Sequence, residues 1–141
     1  MSGRRFVFNT NTIISAFLFE NGKPGRALDL AEEAGRLFVS TETAEELSEV
    51  LQRERFDDYV DRETRHELLL ALLEEAELAE VTEQIEESRD PDDDKFLELA
   101  VEIGAECIVS GDKDLLALES IRGIPILTAD EFLRRAEEGE A

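Results

Sequence analysis

The residues of this chain best suited to chemistry are acids and amides placed just after short apolar runs. Asn9 and Asn11 follow Phe6-Val7-Phe8, and Asp112 and Asp114 follow Cys107-Ile108-Val109. Asp93 lies in Asp90-Pro91-Asp92-Asp93-Asp94, at the head of the helical segment that feeds the second of these runs. Glu46 lies on the helical segment after a third run, Leu37-Phe38-Val39. Carboxylate and amide oxygens suit hard divalent cations, and magnesium in particular is held by a few carboxylates while keeping several waters. An ion held in this way at the rim of a sheet can activate a water and neutralise charge on a phosphate under attack. No organic cofactor is signalled, because there is neither a P-loop nor a GxGxxG. There is no GxSxG elbow for serine chemistry. One histidine and one cysteine cannot build a structural zinc site.

Each candidate also has a plainer explanation. Asp90, Asp92 and Asp94 sit in or before a first helical turn, where the helix dipole favours negative charge. On a helical wheel Glu42, Glu45 and Glu49 point away from the apolar face, whereas Glu46 lies at its margin beside Leu47 and Val50. His66, among Arg65, Glu67 and Leu68, reads as a surface residue. Cys107 reads as a small core residue; alone, it excludes an internal disulfide and fits a reducing compartment.

The elements that must position these groups alternate in type. Strands are expected at Phe6–Phe8, Leu37–Val39, Cys107–Val109 and Ile124–Leu127, with a short one near Ala79-Glu80-Val81. The cluster Asn9-Thr10-Asn11-Thr12 suits a strand end and a helix cap, and Ile13, Ile14, Ala16, Phe17 and Leu18 supply that helix's apolar face. Asn21-Gly22-Lys23-Pro24-Gly25 should break it before a second helix over Ala27 to Ala34. Further helices are expected from about Glu42 to Arg53 behind a Ser40-Thr41 cap, from about Arg62 to Ala79, from Asp90-Pro91 to Gly104, and after Thr128-Ala129-Asp130. Residues 137–141 read as a fraying tail. Strands separated by helices imply α/β class, a parallel sheet with helices on both faces, and such sheets bind ligands beyond the carboxyl ends of their strands.

A length of 141 residues suits one domain, 1–141, able to bury a core. Apolar content of 42% argues against a disordered acidic tail despite a net charge of −21. No apolar run approaches the roughly 20 residues needed to cross a membrane, and residues 1–6 show no signal-peptide core. A cytoplasmic location is therefore expected. Thirty-six Asp and Glu face 15 Lys and Arg, and the lysines are only Lys23, Lys95 and Lys113. Acidic excess with lysine depletion fits a salt-rich cytoplasm. The charge argues against a broad basic face for duplex nucleic acid, an objection that weakens in molar salt, where the Debye length is about 3 Å.

Taken together and in order, four segments resemble the PIN-domain ribonucleases, in the branch of VapC-like toxins of toxin–antitoxin systems. They are Val7-Phe8-Asn9-Thr10-Asn11-Thr12-Ile13-Ile14-Ser15-Ala16, Glu45-Glu46-Leu47-Ser48-Glu49-Val50-Leu51, Asp90-Pro91-Asp92-Asp93-Asp94-Lys95-Phe96-Leu97 and Ile108-Val109-Ser110-Gly111-Asp112-Lys113-Asp114-Leu115-Leu116. The resemblance implies a three-layer α/β/α sandwich around a central parallel sheet, and an endoribonuclease dependent on Mg2+ or Mn2+. It places the family's four catalytic and metal-holding positions on Asn9, Glu46, Asp93 and Asp112, with Asp114 an auxiliary acid. Thr10, Asn11 and Ser15 would shape the pocket, and position 93 is preferred to 94 on its spacing to Phe96 and Gly104. Arg53 and Arg55 are candidates for RNA backbone contacts, with ordinary surface arginines the competing reading. A small antitoxin protein and a homodimer are the implied partners beside the RNA substrate.

One position departs from the pattern: Asn9 stands where the family usually has Asp. At an effective dielectric of about 20 and a separation of about 4 Å, a unit-charge pair is worth on the order of 4 kcal/mol before solvation costs, so metal binding should weaken. Asn9 is then either an engineered or recent change that disarms a nuclease, or the mark of a catalytically inactive RNA- or protein-binding module. A housekeeping RNA-processing nuclease would share the same site and differ only in substrate.

Overall fold

A computed structural model describes residues 3–139 of the chain. Among these residues six strands form one sheet in the order β3-β2-β1-β4-β6-β5. β1 (Arg4–Phe8) pairs in parallel with β2 (Gly35–Val39) and β4 (Cys107–Val109). β4 pairs in parallel with β6 (Ile124–Leu127), and β2 with β3 (Glu77–Leu78). The register sets Phe6 opposite both Leu37 and Cys107, and Val109 opposite both Phe8 and Leu127. The carboxyl ends of the central strands therefore open onto one rim.

Alternation along β1 divides the core between the two faces. Phe6 and Phe8 bury with Ile13 and Ile14 of α1 (Thr10–Leu18), Ala27 and Leu28 of α2 (Lys23–Ala34), and Phe132 of α7 (Ala129–Glu137). Phe132 meets Phe6 and Phe8 edge-on, with ring centroids 5.5 and 6.2 Å away. On the opposite face Val7 buries with Phe96, Leu97 and Ala100 of α5 (Asp94–Ile103) and Leu115 of α6 (Lys113–Leu116). The result is a three-layer α/β/α arrangement. α3 (Thr41–Leu51) and α4 (Arg62–Glu75) extend the first of these layers through Leu47, Leu51, Leu69 and Leu72.

Several elements differ from expectation. The sheet is mixed, because β5 (Ser120–Ile121) runs antiparallel to β6. Arg122 and Gly123 join them with φ of 47° and 84°, the two successive positive values that a tight two-residue hairpin needs. Two residues show no alternation, so this strand was invisible in the pattern. The first helix does end before Asn21-Gly22, but α2 starts at Lys23 rather than Ala27, with Lys23-Pro24-Gly25 as its first turn, where the missing N–H of proline costs nothing. α4 ends at Glu75 and β3 begins at Glu77, earlier than the expected Ala79 for each. α7 extends to Glu137 into the expected fraying tail, and residues 140–141 of that tail lie outside the described residues.

Local chemistry fixes the site-bearing elements. Ser40 and Thr43 form a reciprocal capping box that starts α3 at the end of β2. A Cβ on Gly35 would stand 2.1 Å from the Arg4 carbonyl oxygen, so β2 can start against β1 only with glycine there. The irregular segment after β3 is pinned to α5 by that helix's acids. Glu102 accepts from the Thr82 and Glu83 N–H groups, Glu98 from Ile85, and Asp94 from Ser88. No helix among the described residues is long and apolar enough to cross a membrane.

Candidate metal centre

Asn9 directly follows β1 and caps α1. Its N–H donates to the Val109 carbonyl at 3.1 Å, and its side-chain oxygen accepts from the Thr12 N–H at 3.2 Å and from the Thr12 hydroxyl. The amide is 3% exposed. Only the oxygen can accept from an N–H, so the remaining polar atom of Asn9 is an NH2, which cannot bind a cation. Aspartate caps a helix as well as asparagine and would leave a second oxygen in that place.

Asp112 and Asp114 come from the turn after β4. Asp112 caps α6, accepting from Leu115 N–H at 3.1 Å, while its own N–H donates at 2.9 Å to the hydroxyl of fully buried Ser110. Asp114 lies in the first turn of α6. Asp93 closes a short 3-10 turn, Pro91–Asp93, that leads into α5, and its N–H donates to the Asp90 carbonyl at 2.9 Å. Its neighbour Asp94 is buried, and one of its oxygens accepts from Ser88 N–H.

Asp93 is the electrostatic focus. One of its carboxylate oxygens, Oδ2, is buried without a hydrogen-bond partner. Burial, then a hydrogen bond and charge from Asp112, then the charges of Asp90 and Asp114, push its pKa up to about 7. Asp90, Asp93 and Asp114 each offer one carboxylate oxygen, and these oxygens lie within 4.8 Å of one another. Mutually repelling hard oxygens, on a set of carboxylates that includes Asp93 with its unpartnered oxygen, are a donor set that fits a divalent cation.

Glu46 stands apart from that cluster in its bonding. On α3, one of its oxygens accepts from Lys95 Nζ at 2.8 Å and the other from the Thr10 hydroxyl. Burial works against the Lys95 charge, but its hydrogen bond to Glu46 and the charges of Glu46, Asp92 and Glu42 outweigh burial and leave its pKa raised. Asn11 is exposed on α1 and Ser15 is half-buried further along it. Arg53 and Arg55 are exposed beyond the end of α3, Arg55 with its guanidinium 4.8 Å from the Phe56 ring centroid. His66 is exposed. Cys107 is buried, which pushes its thiol up to about 12 and makes it unfit as a nucleophile.

The structure thus gathers Asp93, Asp112 and Asp114 at one rim, with Thr10 tying α1 to Glu46. Sequence reasoning missed Asp90 and Lys95. The signal for Asp90 is its place at the head of the turn that contains Asp93, which it caps by accepting from Asp92 N–H at 3.0 Å. For Lys95 the only signal was its being one of three lysines.

The model of the family described as PIN domain matches residues 5–114. The chain belongs to the PIN domain family. PIN domains are generally hydrolytic nucleases that depend on divalent metal. A relative from Methanocaldococcus jannaschii, described as uncharacterized, is 33% identical over 116 residues, 81% of this chain and 74% of its own length. Among solved structures, PAE2754 from Pyrobaculum aerophilum aligns with a TM-score of 0.61 at 18% identity, covering 97% of this chain and 92% of that one. VapBC2 from Rickettsia felis, bound to a DNA fragment from its promoter, aligns with a TM-score of 0.59 at 13% identity, covering 86% and 96%. At these identities the likeness is one of fold.

Proposed function

We propose that this PIN domain is an endoribonuclease dependent on Mg2+ or Mn2+, working in the cytoplasm as the toxin of a toxin–antitoxin pair. The observation that carries the nuclease reading is the buried, unpartnered Asp93 oxygen beside Asp112, Asp90 and Asp114. Asp93 and Asp112 would be the principal holders of the ion, Asp114 and Asp90 would complete its surroundings, and Glu46 would stand at the α3 side. When bound, the ion supplies water activation and charge neutralisation at the phosphate. The chain's own part is to orient these carboxylates. Asp112 is held by Leu115 N–H, and Glu46 by Thr10 and Lys95. Asn9 withholds the remaining ligand, so slow cleavage is expected of the chain as it stands.

The toxin role rests on family resemblance, and one surface supports a protein partner. A groove of about 1130 Å3 lies between α1, α2 and α4, with Leu28, Leu68 and Leu72 on its floor and Asp29, Glu32 and Glu75 at its edge. A small antitoxin segment with apolar and basic residues would fit that lining. Homodimerisation is the family's expectation.

The test is incubation of Asn9→Asp with Mn2+ and a mixed RNA pool. Internal cleavage is expected, abolished by chelator and by adding Asp93→Asn. Intact RNA under all these conditions would sink the enzyme reading. It would favour instead a catalytically inert module that binds RNA or protein, a reading supported by the use of Asn9's side-chain oxygen as a helix cap.

A further inference from the structure

Glu46 and Asp93 occupy opposite bonding situations at the same rim. Asp93 keeps a buried oxygen with no partner, whereas both oxygens of Glu46 are taken. The Lys95–Glu46 pair is close, at 2.8 Å, and its side chains are only 20% and 25% exposed. Most surface ion pairs here are looser in one respect or the other. Lys23–Asp130 is as close but has side chains 56% and 44% exposed, and Arg36–Glu77 spans 3.3 Å at similar exposure. A half-buried pair is less screened by water and salt than an exposed one. Lys95 also lies on α5 directly after Asp94 and close to the charges of Asp92 and Glu42, so its cation stands between acids of α3 and the acidic turn that leads into α5.

The geometry points to Lys95 as an ion-pair latch: its ammonium holds Glu46 and competes with the divalent ion for that carboxylate. This inference rests on the metallonuclease reading above and assigns a positioning role to a residue outside the acidic set. A monocation at Glu46 opposes a dication nearby by like-charge repulsion, and it removes one hard oxygen from the ion's reach. With Asn9 neutral and Glu46 neutralised, the α1–α3 side of the rim attracts a cation weakly. The attraction then concentrates on the α5–α6 side, where Asp93 has its free oxygen. Glu46 reaches the ion only when Lys95 lets go.

The test is a double-substitution cycle on the whole chain, read by calorimetric titration with Mn2+. Lys95→Met should tighten Mn2+ binding, and Lys95→Arg should retain the original affinity. Glu46→Gln should weaken binding about tenfold more in the Lys95→Met background than in the original chain, a coupling typical of groups in direct contact. Thermal melts of all variants establish that each is folded. Additive effects of the two substitutions, or no tightening in Lys95→Met, overturn the latch while leaving the metal site standing. Absence of Mn2+ uptake by every variant, and by Asn9→Asp, overturns the metallonuclease reading and the latch together.

Discussion

At Asp93 the cost of gathering acids is concentrated on one carboxyl. Its pKa in the folded, metal-free protein is pushed up to about 7 by burial and by Asp112, Asp90 and Asp114. The folded chain therefore holds a proton that the unfolded chain has already released between about pH 4 and 7. Asp93 stabilises the fold relative to its unfolded reference only when protonated, and that advantage is lost as pH rises through 7. Asp93→Asn should consequently raise metal-free stability at pH 8, by about 1 kcal/mol or roughly 3–5 °C in Tm after allowing for solvent screening, and change little at pH 4. Melts in chelator across that range check this; equal shifts at both pH values would contradict it. Asp112 and Asp114 are legible as candidates because they follow an apolar run, and Asp93 because it heads the helix that feeds that run. Their partners were not. Periodicity tells which face a helix buries, but it does not tell which capping residue of one turn meets which of another. Asp90 and Lys95 escaped for that reason, and Asp93 could be told from Asp94 only by spacing, where the structure separates them by bonding: Asp94 serves Ser88.

Among the elements, α3 and α4 depend on one buried cation. Arg65 is 1% exposed and donates from α4 to the Leu51 carbonyl at 2.8 Å, to the Val60 carbonyl and to Asp57 at 2.9 Å. It ties the end of α3, the helix carrying Glu46, to the loop before α4. Arg65→Met keeps much of the bulk and removes every donor, leaving buried carbonyls unpaired. A loss of about 2–4 kcal/mol is expected in urea unfolding, and a change below about 0.5 kcal/mol would contradict the role. The sequence marks Arg65 only as a neighbour of His66, because a helical wheel cannot foresee that a neighbouring helix ends on it. Strands with three or more buried apolar residues, such as Cys107–Val109, were read correctly for the converse reason: both faces bury, and composition alone betrays them. β3 and β5, of two residues each, exist through pairing with β2 and β6 and carry no pattern of their own.

Over the whole molecule the net charge of −21 sets the conditions under which any of this works. Self-repulsion of that size destabilises a compact state, and salt relieves it. The melting temperature should rise by several degrees, about 5 °C or more, between 0.1 and 2 M KCl. A flat or falling profile would contradict adaptation to a salt-rich interior. The same salt dependence should weaken the advantage of the acidic rim for divalent ions without abolishing it, because half-buried charges are screened less than exposed ones. The central proposal is that a divalent cation is held by Asp93 and Asp112 and is held poorly for want of an acid at position 9. Calorimetric titration of Mn2+ into the original chain, Asn9→Asp and Asp93→Asn/Asp112→Asn tests it most directly. One saturable binding event is expected, tightened at least about tenfold in Asn9→Asp, the gain from one added unit charge near the ion, and lost in the double variant. Identical titrations for the three proteins, or no heat from Asn9→Asp, would contradict it.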